Sequence, residues 1–264
     1  MTRSTIGAVT TVSLDIRPDV DDPEAAEIWA QLTVDGVEHW AIVDTGARRT
    51  MLLVDDDREL DDEVTGAFGS LRVARHDYAR LNFGPVELRN GELQVAPRHP
   101  GLRSVVGLDV IGQDCWHFDL GAKTMTRITN AGVLPNVFET VESGHVWMDL
   151  VGSTGTASAV WDTGAGMTVV DSTYRRRHAD EFTADGHSVG HDVSGTAVET
   201  PLYRWRHVTV GGVEFHDVRA AEVDLAGAAG QLGRSLDAGC GYTLLRQATW
   251  TIDFPNRRWS TAPA

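Results

Sequence analysis

At 264 residues the chain exceeds one typical core and fits two lobes of roughly 100–150 residues each. A formal charge of −15, with 38 acidic against 23 basic side chains and Lys123 the single lysine, repels nucleic acid and anionic membrane, so neither is an expected partner. The content of 42% hydrophobic residues is that of an ordinary globular chain, and no apolar run approaches the ~20 residues that span a bilayer.

Taken in order, Met1 to Ile6 lacks the apolar centre of a secretory signal and no basic pro-segment follows, so the expectation is a cytoplasmic, directly active protein. Val9 to Ile16 alternates as a strand does and is expected to join a sheet beneath a cleft. Glu27 to Val34, the turn Asp35-Gly36 and the apolar run into Val43 form a hairpin. Its second strand leads into Asp44-Thr45-Gly46-Ala47, two further residues, Thr50 and a new apolar strand from Met51. The same order returns at Ser158 to Val170, with Asp162-Thr163-Gly164-Ala165, two residues, Thr168 and Val169-Val170. One Asp-Thr-Gly arises readily by chance, but two copies leaving an apolar strand and followed by Ala-x-x-Thr do not.

Aligning Asp44 with Asp162 sets an offset of 118, at which Trp29 meets Trp147, Leu32 meets Leu150, Ala41 meets Ala159 and Thr50 meets Thr168. A period this long means duplicated domains and not a repeat array. The expected division is residues 1–133 and 134–264, with the connection near Ala131 to Asn136. Both halves close on similar strands, Trp116 to Leu120 and Trp250 to Phe254, at an offset of 134. Helix signals are scarce: Ser172 to Glu181 and Tyr242 to Ala248.

These duplicated motifs resemble the retropepsin-like aspartic proteases, here with both lobes in one chain as in the pepsin-like arrangement. The resemblance implies an all-β, two-lobed acid-protease fold with one aspartate from each lobe meeting at a cleft. It implies Asp44 and Asp162 as the catalytic pair of an aspartic endopeptidase. Two carboxylates held close share a proton: one activates water as general base while the other hydrogen-bonds the scissile carbonyl, as the aspartic proteases themselves exemplify. By the same resemblance Thr45 and Thr163 brace the two loops, Gly46 and Gly164 leave room for backbone amides, and Ala47 and Ala165 keep the substrate floor small. Val105-Val106-Gly107 and Gln231-Leu232-Gly233 are expected as the hydrophobic-hydrophobic-Gly elements behind the loops, with about eight extra residues near Ser235 to Tyr242. Flaps, or ordinary surface hairpins, are expected within Thr65 to Val73 and Val189 to Thr196; Tyr78 is not taken as a flap-tip residue.

The expected partner is a peptide or protein substrate, bound extended to a monomer, with no cofactor or metal. The alternative is an inactive peptide-binding module on the same scaffold; retention of both aspartates and both threonines favours the hydrolase. Cys115 and Cys240 make neither a disulfide framework nor a zinc site and are expected as buried thiols. His187, His191 and Asp192 have a metal-like look without the helix that would align them, and read as surface or flap residues. Arg175 to Arg177 read as a charged helix face and Asp55 to Glu63 as a solvated loop. Of Arg48 and Arg49 beside the cleft, the alternatives are substrate contact, pairing with Asp109, or plain solvation. Trp161, next to Asp162 in sequence and so on the other strand face, is expected in the core.

Overall fold

The computed structural model describes residues 10–55, 59–66, 69–99, 101–139, 144–191 and 197–264. It is built of three sheets with a few short helices, and the two larger sheets repeat one plan. The eight-stranded sheet runs Asp15–Pro18, Ala26–Val34, Val37–Val43, Val105–Val106, Met51–Val54, Val86–Pro97, Gly69–Phe83 and Asp62–Gly66. The seven-stranded sheet runs Trp147–Val151, Thr156–Trp161, Ala238–Cys240, Thr168–Asp171, Val213–Val223, Ala197–Val210 and Phe182–His191. Apart from Asp15–Pro18 the two orders correspond strand for strand. The turn Asp35-Gly36 has φ of 49° and 87°, the doubly left-handed pair that matches hairpin twist, and the Asp35 carboxylate accepts from the N–H groups of Ala79 and Arg80.

The third sheet has six strands in the order Thr11–Ser13, Thr124–Arg127, Cys115–Asp119, Ala248–Asp253, Arg258–Pro263 and Asn136–Val137. It joins the lobes, because the closing strand of each half pairs with that of the other. His117 lies opposite Thr251, its counterpart at the offset of 134, with Nδ1 3.0 Å from the hydroxyl. The pseudo-twofold relation between the lobes therefore passes through this pair. The expected N-terminal strand divides in two: Thr11–Ser13 enters this sheet, and Asp15–Pro18 pairs with the first lobe through Ile16 and Ile28.

One correction concerns the second lobe. The counterpart of Val105–Val106 is Ala238–Cys240 and not Gln231-Leu232-Gly233. Val105 and Val106 lie parallel to Ile42 and Val43, as Gly239 and Cys240 lie parallel to Val160 and Trp161. A Cβ on Gly107 would fall 2.6 Å from the Arg49 carbonyl carbon, and one on Gly241 2.4 Å from that of Met167. Both glycines let main chain pass main chain where a side chain has no room. Each then opens a one-turn helix, Leu108–Ile111 or Tyr242–Leu245, whose last carbonyl accepts from a buried indole, Trp116 or Trp250, at 2.9 Å. Gly233 instead ends the inserted helix Ala226–Leu232 at φ 67°. The extra residues of the second lobe thus precede the glycine element.

Ser172–Arg177 is a helix capped by Asp171, followed by a single turn Ala179–Glu181, as expected. Arg175 and Arg176 of this helix pair with Glu222. The cores of the lobes are continuous through the joining sheet. Trp161, 1% exposed, packs against Phe118 and Trp250, which confirms its expected burial. Cys115 and Cys240 are free and buried, and desolvation raises both thiols, Cys115 to about 12. Across the lobes, Asp22 and Glu24 meet Arg204, Arg219 and Arg246, with Asp185 completing the cluster. Hydrogen bonds from Arg204 lead the effects that hold the Glu24 carboxyl down at about 2, against the opposing cost of burial. No described helix is long and apolar enough to cross a membrane.

Candidate active site

Both Asp-Thr-Gly-Ala segments turn out of a buried strand at the junction of the lobes. The strand ends are fixed by main-chain bonds of matching kind. Asp44 N donates to Val106 O at 3.0 Å and Asp162 N to Cys240 O at 3.1 Å, while Leu108 N and Tyr242 N donate to the carbonyls of Ala47 and Ala165, each at 2.9 Å. The Thr50 hydroxyl donates to Asp109 Oδ1 at 2.7 Å and accepts from Gly107 N at 3.1 Å. In the second lobe Thr168 N donates to the Thr243 hydroxyl at 2.9 Å and the Thr168 hydroxyl donates to Gly241 O at 3.4 Å.

Thr45 and Thr163, 0% and 2% exposed, lock the loops to each other. The Thr45 hydroxyl donates to Trp161 O at 3.0 Å and accepts from Thr163 N at 3.0 Å, while Thr45 N donates to the Thr163 hydroxyl at 3.1 Å. This brings the two aspartates together. A Cβ on Gly46 would lie 2.6 Å from Asp162 Oδ1, and one on Gly164 would lie 2.3 Å from Asp44 Oδ1. Each glycine therefore abuts the carboxylate of the opposite lobe, and no other residue fits there.

Asp44 Oδ1 accepts from the N–H groups of Gly46 and Ala47, both at 2.9 Å, and Asp162 Oδ1 from Gly164 N at 2.9 Å. Both carboxyls are raised above the ordinary aspartate range. For Asp44 desolvation is the largest cause and the Asp162 charge the next, against the amides of Gly46 and Ala47. For Asp162 desolvation again leads, opposed first by the Gly164 amide and then by the nearby His145. The titration belongs to the pair and not to either residue alone. Such a pair can hold one proton and one charge together, the condition for acting as acid and base in the same step.

Of the alternatives for Arg48 and Arg49, pairing with Asp109 is not the one formed: Asp109 is held by the N–H and hydroxyl of Thr50, and Arg49 lies 3.7 Å from Glu92. Sequence reasoning also assigned no role to His145, which is 7% exposed and brings Nε2 to 2.8 Å from Gly46 O. An isolated histidine before a strand carries no pattern that could have singled it out. Tyr78 is buried beside Gly91 within the Gly69–Phe83 strand and so is no flap tip. Both flap candidates do form hairpins, but the turn residues 67–68 and 192–196 lie outside the described residues, as do Asp192 and the side chain of His191. Among the described residues one group has donor atoms spaced for a metal: His207, Glu214 and His216, within 4.8 Å of one another on the surface of the Ala197–Val210 and Val213–Val223 hairpin.

Two β-lobes joined by a shared sheet, each sending an Asp-Thr-Gly loop to a common point, define the acid-protease class of fold. A sequence model described as aspartyl protease matches residues 30–110 and 150–236, together more than half of the chain. The chain belongs to the aspartyl protease family. The second matched segment stops short of Gly241, the position that the structure assigns to the glycine element. Among solved structures the chain is similar to an aspartic proteinase from Irpex lacteus, with a TM-score of 0.61 and 16% identity over 96% of this chain and 97% of that one. At that identity the likeness speaks for the fold. A search of curated proteins gave no match.

Proposed function

We propose that this chain is an aspartic-type endopeptidase, hydrolysing peptide bonds within polypeptides by water activated between Asp44 and Asp162. The observation that carries the reading is the mutual approach of the loops, in which Gly46 abuts Asp162 and Gly164 abuts Asp44. The ionised carboxylate takes a proton from water as the oxygen attacks the scissile carbonyl. The protonated partner hydrogen-bonds the carbonyl oxygen and stabilises the charge developing there. Proton return to the leaving amine then regenerates the pair. Thr45 and Thr163 keep the carboxyls in register, and Ala47 and Ala165 present small side chains to the substrate.

The working unit is the monomer, divided at 133/134, because both half-sites lie in one chain. The substrate lies extended across the cleft through strand-like backbone bonds, with apolar side chains preferred at the cut. The test is cleavage of a diverse peptide library between pH 3 and 7.5, with and without the transition-state analogue pepstatin. Internal cuts that pepstatin abolishes support the endopeptidase. Peptides bound but never cut would mean a binding module instead.

A further inference from the structure

The catalytic loops are not symmetric in what stands behind them. At the offset of 118, Glu27 and His145 occupy equivalent positions. Glu27 is drawn sideways, accepting from Trp29 Nε1 at 2.8 Å and lying 3.5 Å from Arg103 Nε. His145 reaches across the lobes to the Gly46 carbonyl, 2.8 Å from Nε2. A carbonyl only accepts, so Nε2 carries a hydrogen, and the remaining proton site is Nδ1. Nδ1 is buried and has no hydrogen-bond partner among the described residues.

The peptide unit that accepts from His145 is the one whose N–H serves the dyad. Gly46 O and Ala47 N belong to the same amide, and Ala47 N donates to Asp44 Oδ1 at 2.9 Å. A donor on that carbonyl polarises the amide and strengthens its N–H toward the carboxylate. The N–H of Gly46 also bears on Asp162. His145 thus sits one peptide away from the Asp44 carboxyl.

We propose that His145 is a positioning residue for the dyad: from the opposite lobe its Nε2–H fixes the Gly46–Ala47 amide, and with it the N–H that this amide presents to Asp44. One lobe therefore orients a donor to the carboxylate of the other.

The inference rests on the reading of the dyad given above, and two kinds of readout separate the two. Carboxyl-carbon NMR of aspartate-labelled protein follows the dyad without turnover, and the pH profile of kcat/KM follows it with turnover. His145→Gln keeps an N–H for the Gly46 carbonyl, so the dyad titration and the acid limb of kcat/KM should stay close to wild type, with plateau kcat within about threefold. His145→Leu removes the donor and loosens the Ala47 N–H that serves Asp44, so both should move up by about 0.5 pH units or more, with a loss of kcat of about tenfold or more. A dyad titration in folded His145→Leu that superimposes on wild type, or one in His145→Gln that shifts as far as in His145→Leu, overturns the proposal, whether or not the protein cleaves peptides. A titration shifted in His145→Leu alone, in a protein that cleaves nothing, upholds the role of His145 and contradicts the endopeptidase.

Discussion

Thr45→Val replaces one β-branched side chain with another of nearly equal volume, so it opens no cavity and isolates the hydroxyl. That hydroxyl is the hub of the clasp: it donates to Trp161 O, accepts from Thr163 N, and lies 3.3 Å from the Thr163 hydroxyl. Valine leaves a buried N–H and a buried C=O without these partners. At about 1–3 kcal/mol for each unsatisfied group, the loss is about 2–6 kcal/mol. For a chain of this size that lowers Tm by about 5–20 °C. In the mirror variant, Thr163→Val, the group left stranded is Thr45 N, so the expected loss is about half as large. Thermal and urea unfolding of both variants, alongside kcat on any cleaved peptide, check the order. A Thr45→Val protein within 1 kcal/mol of wild type, or a Thr163→Val protein that suffers more, would refute the asymmetric clasp.

Further outcomes follow from the raised dyad, the glycine element and the interlobe ion cluster. The folded protein holds a dyad proton that the unfolded chain releases near the ordinary aspartate value of 3.8, so this site costs stability progressively as pH rises above that value. Asp44→Asn should therefore gain on the order of 2 kcal/mol at pH 7 and little at pH 3, read as the difference in Tm from wild type; equal effects at both pH values would contradict the raised pair. Gly241→Ala places a Cβ 2.3 Å from Met167 O and should cost about 3 kcal/mol or more, whereas Gly233→Ala, left-handed but with open space around it, should cost about 1–2 kcal/mol; the reverse order in urea unfolding would return the glycine element to Gly233. Glu24, held at about 2, contributes stability above its unfolded value of 4.5 and loses it as pH falls toward 2. The Glu24 side chain is 30% exposed, which discounts the contribution to about 1 kcal/mol. Glu24→Gln should flatten acid unfolding over that window, and an unchanged acid limb would mean the cluster adds nothing.

What the sequence revealed and what it hid have a common cause. The Asp-Thr-Gly loops were readable because duplication preserved their motif, from Asp44-Thr45-Gly46-Ala47 and Thr50 to Asp162-Thr163-Gly164-Ala165 and Thr168. Trp29 and Leu32 matched Trp147 and Leu150 because all four fill buried positions in equivalent strands. The second glycine element was misread because its strand, Ala238-Gly239-Cys240, is made of small residues, while Leu232-Gly233 has the expected apolar-Gly look at the end of an inserted helix. The offset of 134 shared by the closing strands was the usable signal, since Gly107 and Gly241 obey it. The Thr50–Asp109 bond and the reach of His145 to Gly46 depend on contacts between distant segments, and no local pattern announces them.

The central claim is that Asp44 and Asp162 act as one catalytic unit. Its most direct test is turnover of a cleaved peptide by wild type, Asp44→Asn and Asp162→Asn, each shown to be folded by circular dichroism and cooperative melting. The account predicts that either substitution alone lowers kcat by about a thousandfold or more, and that the double variant is scarcely worse than either single one. Substantial turnover surviving in one folded single variant would contradict it.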